Sequence, residues 1–352
     1  MINRACGVYQ TTYEGDMALY PLPLARASAI GALVLLPLVV DSHQMALVNL
    51  IVLASIGAIG LNILVGYTGQ VSLGHGAFMM VGSYAAAVVT LRLGAPFWIG
   101  LPVGGLVAAA VGTFFGIPSL RIKGLYLAIA TLAAQFIIEW TINHSTWISG
   151  GAQSTLYVPT PTLFGWEINT EYRRYFMILP FGVAAYLAAL NLLRTRVGRA
   201  FVAVRDRDLA AEVIGVDIFR YKLLAFAVSS FYAGVAGALY TYYLKIANYE
   251  HFTLATSVSY LAMIIIGGLG SVLGSVFGAV FITLLPIVLV YVVEGTAVLF
   301  GFKYAAIADF LANLRLIIFG GLIILFLAIE PEGLYRMWGN VRRYFRFWPF
   351  SY

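Results

Sequence analysis

Apolar residues run along this 352-residue chain in long blocks, separated by short breaks of glycine, hydroxyl residues and charge. The blocks approach the ~20 residues that a helix needs to cross the hydrocarbon core of a bilayer. They fall at 27–40, 46–66, 70–91, 97–117, 124–143, 175–193, 219–245, 257–270, 272–293 and 312–330. The first is short for a full crossing. The eighth and ninth form one stretch too long for a single crossing, interrupted only by GGLGSVLGS (Gly267–Ser275), where the chain is expected to bend back. Period-two segments of roughly ten residues, the mark of a membrane barrel, are absent. The pattern predicts an all-α, polytopic transmembrane helical bundle of about ten membrane segments with glycine-broken helices. A polar N-terminal arm is expected over 1–26, the transmembrane domain over 27–330 with a loop at 194–222, and a basic, aromatic tail over 331–352.

Composition sharpens this picture. The chain is 61% hydrophobic and 10% charged, against roughly 25% charged residues in a soluble domain, so its solvent is largely lipid. The single cysteine, Cys6, excludes an intramolecular disulfide and a cysteine metal cluster. His43, His75, His144 and His251 are scattered without an HExxH pattern, and no metal site is expected. No GxxxxGK[ST] loop occurs, so the chain is not expected to hydrolyse ATP. GGLGSVLG superficially resembles a dinucleotide fingerprint, but it follows an apolar run instead of a strand. No clustered acid–base pair or nucleophile motif appears, so no catalytic residue and no enzyme activity are predicted.

The net charge of +6 is read as loop charge at a membrane face, not as a nucleic-acid surface. Arg194, Arg196, Arg199, Arg205, Arg207, Arg220 and Lys222 share one loop, Arg121 and Lys123 another, and Arg336, Arg342, Arg343 and Arg346 the tail. Ten crossings put all three on the side of the N-terminus, the cytoplasm, and leave 144–174 outside. The N-terminus lacks a basic–apolar–cleavage pattern and is read as a retained arm with no signal peptide.

The stretch GYTGQVSLGHGAF (Gly66–Phe78) places glycines and polar side chains between two apolar blocks. Irregular backbone survives inside a bilayer only when it is buried in protein or lines a wet cavity. Gly66, Gly69 and Gly74 are therefore candidate helix-break positions, as are Gly267, Gly268, Gly270 and Gly274. Asn62, Gln70, Ser72, His75 and Gln135 are candidates for a translocation path. The competing reading is that the glycines pack helices and the polar groups hydrogen-bond across them. Ser271 and Ser275 are placed to cap freed backbone at the second break. Glu139 is expected near an outer helix end, and Arg315 snorkels or pairs with Asp309. No strong charge falls at a helix centre, which disfavours an ion-driven carrier.

In the basic loop, RDRDLAAEVIGVD predicts a short helix, with Asp206 or Asp208 opposing its dipole and Gly215 ending it. Leu209, Val213 and Ile214 share one face and Ala210 and Ala211 permit close approach, a surface suited to docking in a partner's groove. A solvated connector is the alternative. AAEVIGVD, preceded by AVRDRD and followed by FRYKLLAFAVSSFYAGVAGALY, resembles the cytoplasmic loop of importer-type ABC permeases. With LNILVGYTGQVSLGHGAFMMVGSYAA, KGLYLAIATLA, GGAQ and GGLGSVLGSVFGAVF, it is similar to the LivM type of branched-chain amino acid permease subunit over nearly the whole chain after residue 45. RDRD, which adds Arg207, and the Ala-Gln-Ser after Gly151 depart from the family pattern.

The resemblance implies an ATP-driven, multi-pass subunit of the bacterial inner membrane with both termini cytoplasmic, working by alternating access. Its implied partners are a second, LivH-like permease subunit, two ATP-binding subunits and an extracytoplasmic substrate-binding protein. ATP and Mg would sit on the partner subunits and no cofactor on this chain. Arg205, Asp208, Ala210, Ala211, Glu212 and Gly215 would couple it to the ATPases. The same scaffold with urea, amide or sugar cargo is the nearest alternative; the SLGHG segment favours amino acids.

Overall fold

The computed structural model describes residues 31–119, 124–150, 155–163 and 166–300, together with 317, 320, 321, 324, 325 and 333–337. The polar arm, Arg121, Lys123, Asp309, Arg315 and all of the tail but 333–337 lie outside the described residues. Ten helices are labelled here: α1 Ser42–Thr68, α2 His75–Leu93, α3 Phe97–Ser119, α4 Leu125–His144, α5 Glu171–Arg194, α6 Arg196–Asp206, α7 Asp208–Val213, α8 Ile218–Leu244, α9 Leu254–Gly267 and α10 Val272–Phe300.

Among the described residues, six runs are long and apolar enough to cross a membrane: Ser42–Thr68, His75–Leu93, Phe97–Pro118, Glu171–Arg194, Ile218–Leu244 and Tyr249–Gly267. The expected count of about ten is not confirmed among the described residues. Of the block at 27–40 only residues from 31 on are described, and there the helix tightens into the 3-10 turn Leu36–Leu38 at Pro37. The block at 312–330 falls largely outside the described residues. The third block begins as a helix at His75, not at residue 70, because 69–74 is not helical.

The centre of the bundle is α8, packed against α1, α2 and α3. Small residues make the close approach possible. A Cβ on Gly104 would stand 2.7 Å from the Gly82 carbonyl, and one on Gly234 would stand 2.7 Å from the Gly104 carbonyl. Hydroxyls join the same helices, with Ser83 and Thr241 at 2.5 Å and Thr90 and Tyr242 at 2.7 Å. Helix α1 is buried without interruption from Leu53 to Gly66. This is the behaviour of a helix that is apolar on every face.

The end remote from the basic loop departs from the all-α expectation in two small places. Strand β1 (Thr155–Tyr157) pairs antiparallel with β4 (Ile246–Asn248), in the register Leu156↔Ala247. Strands β2 (Thr162–Leu163) and β3 (Trp166–Glu167) form a two-stranded hairpin. Short β-branched and aromatic stretches outside the apolar blocks take up this pairing. Beside it, the Glu171 carboxylate accepts from Asn49 Nδ2 (3.1 Å) and the Tyr243 hydroxyl (3.0 Å), and pairs with Arg174 (2.6 Å).

Candidate functional site

Helix α1 stops at Gly69, whose φ of +69° belongs to the left-handed region that glycine adopts without a Cβ penalty. The Gly69 amide bonds the Val65 carbonyl (3.1 Å) and the Gln70 amide bonds that of Leu64 (3.2 Å). The chain then runs irregularly back into the bundle, and α2 starts beside the midpoint of α1. The His75 ring lies 5.2 Å from that of Tyr260, and a Cβ on Gly57, mid-way along α1, would touch the same tyrosine.

Unpaired amides at this depth are costly, since the bilayer supplies no water. Side chains of other helices satisfy them. Thr131 Oγ1 accepts from the Leu73 amide (2.9 Å), Ser257 Oγ from Gly76 (2.8 Å) and Gln135 Oε1 from Ala77 (2.7 Å). Gln135 Nε2 donates to the Phe252 carbonyl (2.8 Å), and Ser257 donates to Gln135 Oε1 (3.2 Å). Ser72 Oγ accepts from the Gly74 amide (3.4 Å), while Gln70 Nε2 donates to Thr68 Oγ1 (2.9 Å) and to the Lys222 carbonyl (3.4 Å). Gln70, Ser72 and Gln135 thus commit polar atoms to the protein's own break. His75 differs: it is buried and its Nε2 has no hydrogen-bond partner.

The second break, between α9 and α10, lies against the end of α1. Asn62 Nδ2 donates to the Ser271 carbonyl (2.8 Å) and to Ser275 Oγ (2.7 Å), and the Gly270 amide donates to Asn62 Oδ1 (2.9 Å). Gly270, at φ +76°, makes the turn. Ser271 Oγ accepts from the Gly274 amide (3.1 Å) and caps freed backbone as expected, whereas Ser275 Oγ donates to the Ser271 carbonyl (3.2 Å), which already accepts from the Ser275 amide (3.1 Å). A Cβ on Gly66 would run into Asn62 Oδ1 and the Gly270 amide, and one on Gly267 into the Gly274 carbonyl. The two glycine breaks, more than half the chain apart in sequence, are one packed junction. Gly74 belongs to the other side of the first break, where a Cβ would stand 2.7 Å from the Thr131 carbonyl. Gly268 makes the same turn from the α9 side.

The basic loop closes over this junction. The expected short helix divides at Arg207, whose extended backbone separates α6 from α7. Ala211 of α7 is buried, whereas Leu209, Val213 and Ile214, the residue that follows the helix, are 70%, 87% and 75% exposed. Ala210 and Glu212 are exposed as well. Gly215 (φ +87°) ends the turn, and the Val216 amide returns to the Ala211 carbonyl (2.9 Å). Asp208 opens α7 by accepting from the Leu209 amide (2.9 Å) and lies 3.8 Å from the Lys222 ammonium. Arg205 Nη1 donates to the Gly66 carbonyl (2.8 Å). An open polar cleft of about 240 Å³ lies here, lined by Gly69, Gln70, Arg205, Arg207, Asp208 and Lys222 among others.

Glu139 is half-buried in the last turns of α4. Thr131 and Ser257 were not singled out from sequence, although Thr131 stands one turn before Gln135 on the same helix face. Single hydroxyls in apolar helices carry little signal, since most bond back to their own helix, as Thr113 does to the Ala109 carbonyl.

Over residues 45–327 the sequence matches the family described as branched-chain amino acid transport system / permease component. It is 31% identical over 324 residues to the high-affinity branched-chain amino acid transport system permease protein LivM of Escherichia coli K12, covering 86% of this chain and 72% of that protein. It is 28% identical to the probable branched-chain amino acid transport permease protein LivH of Methanocaldococcus jannaschii, over 63% of this chain and 71% of that one. Similarity to the ribose import permease protein RbsC of Haemophilus influenzae is 27%, over 54% and 57%. No solved structure matches. The chain belongs to the branched-chain amino acid permease-component family.

Proposed function

We propose that the chain, as a member of this family, is the membrane-spanning permease subunit of an ATP-driven importer for branched-chain amino acids. It works by alternating access in the bacterial cytoplasmic membrane, with the basic loop and both termini on the cytoplasmic side. Its partners are a second permease subunit, two ATP-binding subunits that carry ATP and Mg, and an extracytoplasmic substrate-binding protein. The chain itself hydrolyses nothing.

The observation that carries this reading is helix α7. Three large apolar side chains, Leu209, Val213 and Ile214, project from a short helix outside the membrane-crossing runs, on a loop dense in arginine. An exposed apolar triad on a short helix of this loop suits a groove on an ATPase subunit. Ala211 seats the helix on the permease, so force applied to the triad is delivered to the bundle.

The test is reconstitution with the partner subunits in liposomes, followed by uptake of labelled leucine. ATP-dependent leucine uptake that ribose and urea do not compete supports the proposal. Uptake that requires an ion gradient and no ATPase refutes it, and competition by ribose or urea moves the cargo to another class.

A further inference from the structure

Arg205 is the penultimate residue of α6 and touches both glycine breaks. Its Nη1 donates to the Gly66 carbonyl at 2.8 Å. That carbonyl lies in the last turn of α1, where intrahelical donors have run out and a cation is favoured. Its stem crosses the helix stop: Cγ would stand 3.3 Å from a Cβ on Gly69. The same Nη1 would stand 3.0 Å from a Cβ on Gly270, at the turn between α9 and α10. Nε is held by Asp206 Oδ1 at 3.1 Å, which orients the guanidinium. The side chain is 39% exposed, yet its guanidinium turns inward to the Gly66 carbonyl.

From this geometry we propose that Arg205 is the pin that transmits motion of α7 to both broken helices at once; the inference rests on the coupling role given to α7 above. Helix α7 begins three residues beyond Arg205, with only Asp206 and the extended Arg207 between them. A displacement of α7 is therefore delivered at Arg205. There one hydrogen bond to a charged donor, roughly twice the strength of a neutral one, grips the end of α1. Asn62 ties that end to Gly270 and Ser271, so the α9–α10 turn travels with it. The glycines are what let the arginine lie flat on both turns, since a Cβ at Gly66 or Gly270 would occupy its place or that of its partners. Arg205 is a positioning residue: it acts through α1 and α9–α10 and is assigned no contact with cargo.

The assembled transporter, with its partner subunits in liposomes, tests this through Arg205→Gln and Arg205→Lys, with ATP hydrolysis and leucine uptake measured in the same vesicles. Hydrolysis is expected to persist in Arg205→Gln while leucine moved per ATP falls about tenfold, the weight of one hydrogen bond to a charged group. Arg205→Lys, which retains one donor, is expected to recover part of the ratio. An assembled Arg205→Gln complex with the wild-type ratio overturns the pin. Absence of ATP-dependent uptake in the wild type would instead overturn the coupling reading beneath it. A second measurement leaves Arg205 intact. Spin labels at Arg207→Cys and Leu269→Cys, both exposed positions, in a Cys6→Ser background should give one narrow distance common to the nucleotide-free and ATP-bound states. A distance that changes between those states overturns the proposal, whatever the variants do.

Discussion

The Gly270 amide donates to the Asn62 side-chain oxygen at 2.9 Å, across 208 residues of sequence. The same side chain turns its nitrogen to the Ser271 carbonyl and to Ser275 Oγ. One side-chain amide thus binds the turn at two backbone groups, of which the Ser271 carbonyl also accepts from the Ser275 amide of α10. Asn62→Leu keeps the volume and removes these bonds, leaving the half-buried Gly270 amide without its acceptor, a loss of about 2 kcal/mol. Thermal unfolding of the detergent-solubilised protein should register the drop. Asn62→Asp should cost at least as much, because it buries a charge and sets a carboxylate oxygen against the Ser271 carbonyl. An Asn62→Leu protein that unfolds at the wild-type temperature would show that this amide does not hold the turn.

Gly66 and Gly215 separate two uses of glycine. A Cβ at Gly66 meets Asn62 and the Gly270 amide, so Gly66→Ala forces apart the two breaks and costs about 2 kcal/mol through overpacking. A Cβ at Gly215 meets nothing, so Gly215→Ala carries only the left-handed backbone penalty of about 1 kcal/mol, confined to the loop. The measured unfolding temperatures should rank wild type, Gly215→Ala, Gly66→Ala. Gly215→Pro should insert and fold, yet lose ATP-driven uptake, because proline cannot adopt the positive φ found there. Equal effects of the two alanines would contradict the close approach described at Gly66.

Much of this architecture was legible in the chain, and the limits have physical causes. Apolar block length locates α1 to α5 and α8 to α10, because burial in lipid or protein writes itself into continuous hydrophobicity. The glycine breaks also stand out, since glycine and polarity inside an apolar block demand a structural reason. Their union does not: the Asn62–Gly270 bond is a long-range contact, and no local pattern reports it. The partners that close the first break, Thr131 and Ser257, are single hydroxyls, indistinguishable in sequence from those that bond their own helix. The division of the loop at Arg207 was missed for a related reason: RDRDLAAEV has continuous helical propensity, and only packing selects the extended residue.

Gln135 is the capping group of α2. Its oxygen accepts from the Ala77 amide and the Ser257 hydroxyl, and its nitrogen donates to the Phe252 carbonyl. Gln135→Leu leaves the Ala77 amide only the Gly74 carbonyl (3.1 Å) and removes the donor to the Phe252 carbonyl, a loss of about 2 kcal/mol. Ser257→Ala removes the acceptor for the Gly76 amide and the donor to Gln135 Oε1, and should cost about as much. Their sum in the double variant should deviate from additivity, since both act on one network. Additive unfolding temperatures would mean that the two side chains cap α2 independently.

The apolar triad on α7 offers the sharpest separation of stability from function. Leu209, Val213 and Ile214 are 70% or more exposed, so replacing each with serine removes almost no buried surface from the isolated chain. Such substitutions fall within about 0.5 kcal/mol of the parent in stability. At an interface the same side chains would fill a partner's groove, where a few anchors carry most of the affinity. The triple variant is therefore expected to insert and unfold like the parent. Co-purification with the ATP-binding subunits should fall by at least about tenfold, in line with the loss of interfacial anchors. Ala211→Trp should behave differently. Ala211 is buried, and a large ring there lifts α7 off the bundle, so the ATPases are expected to bind while leucine uptake per ATP declines. If the triple serine variant retains its ATPases, the triad is a solvated connector and the docking surface must lie elsewhere on the loop.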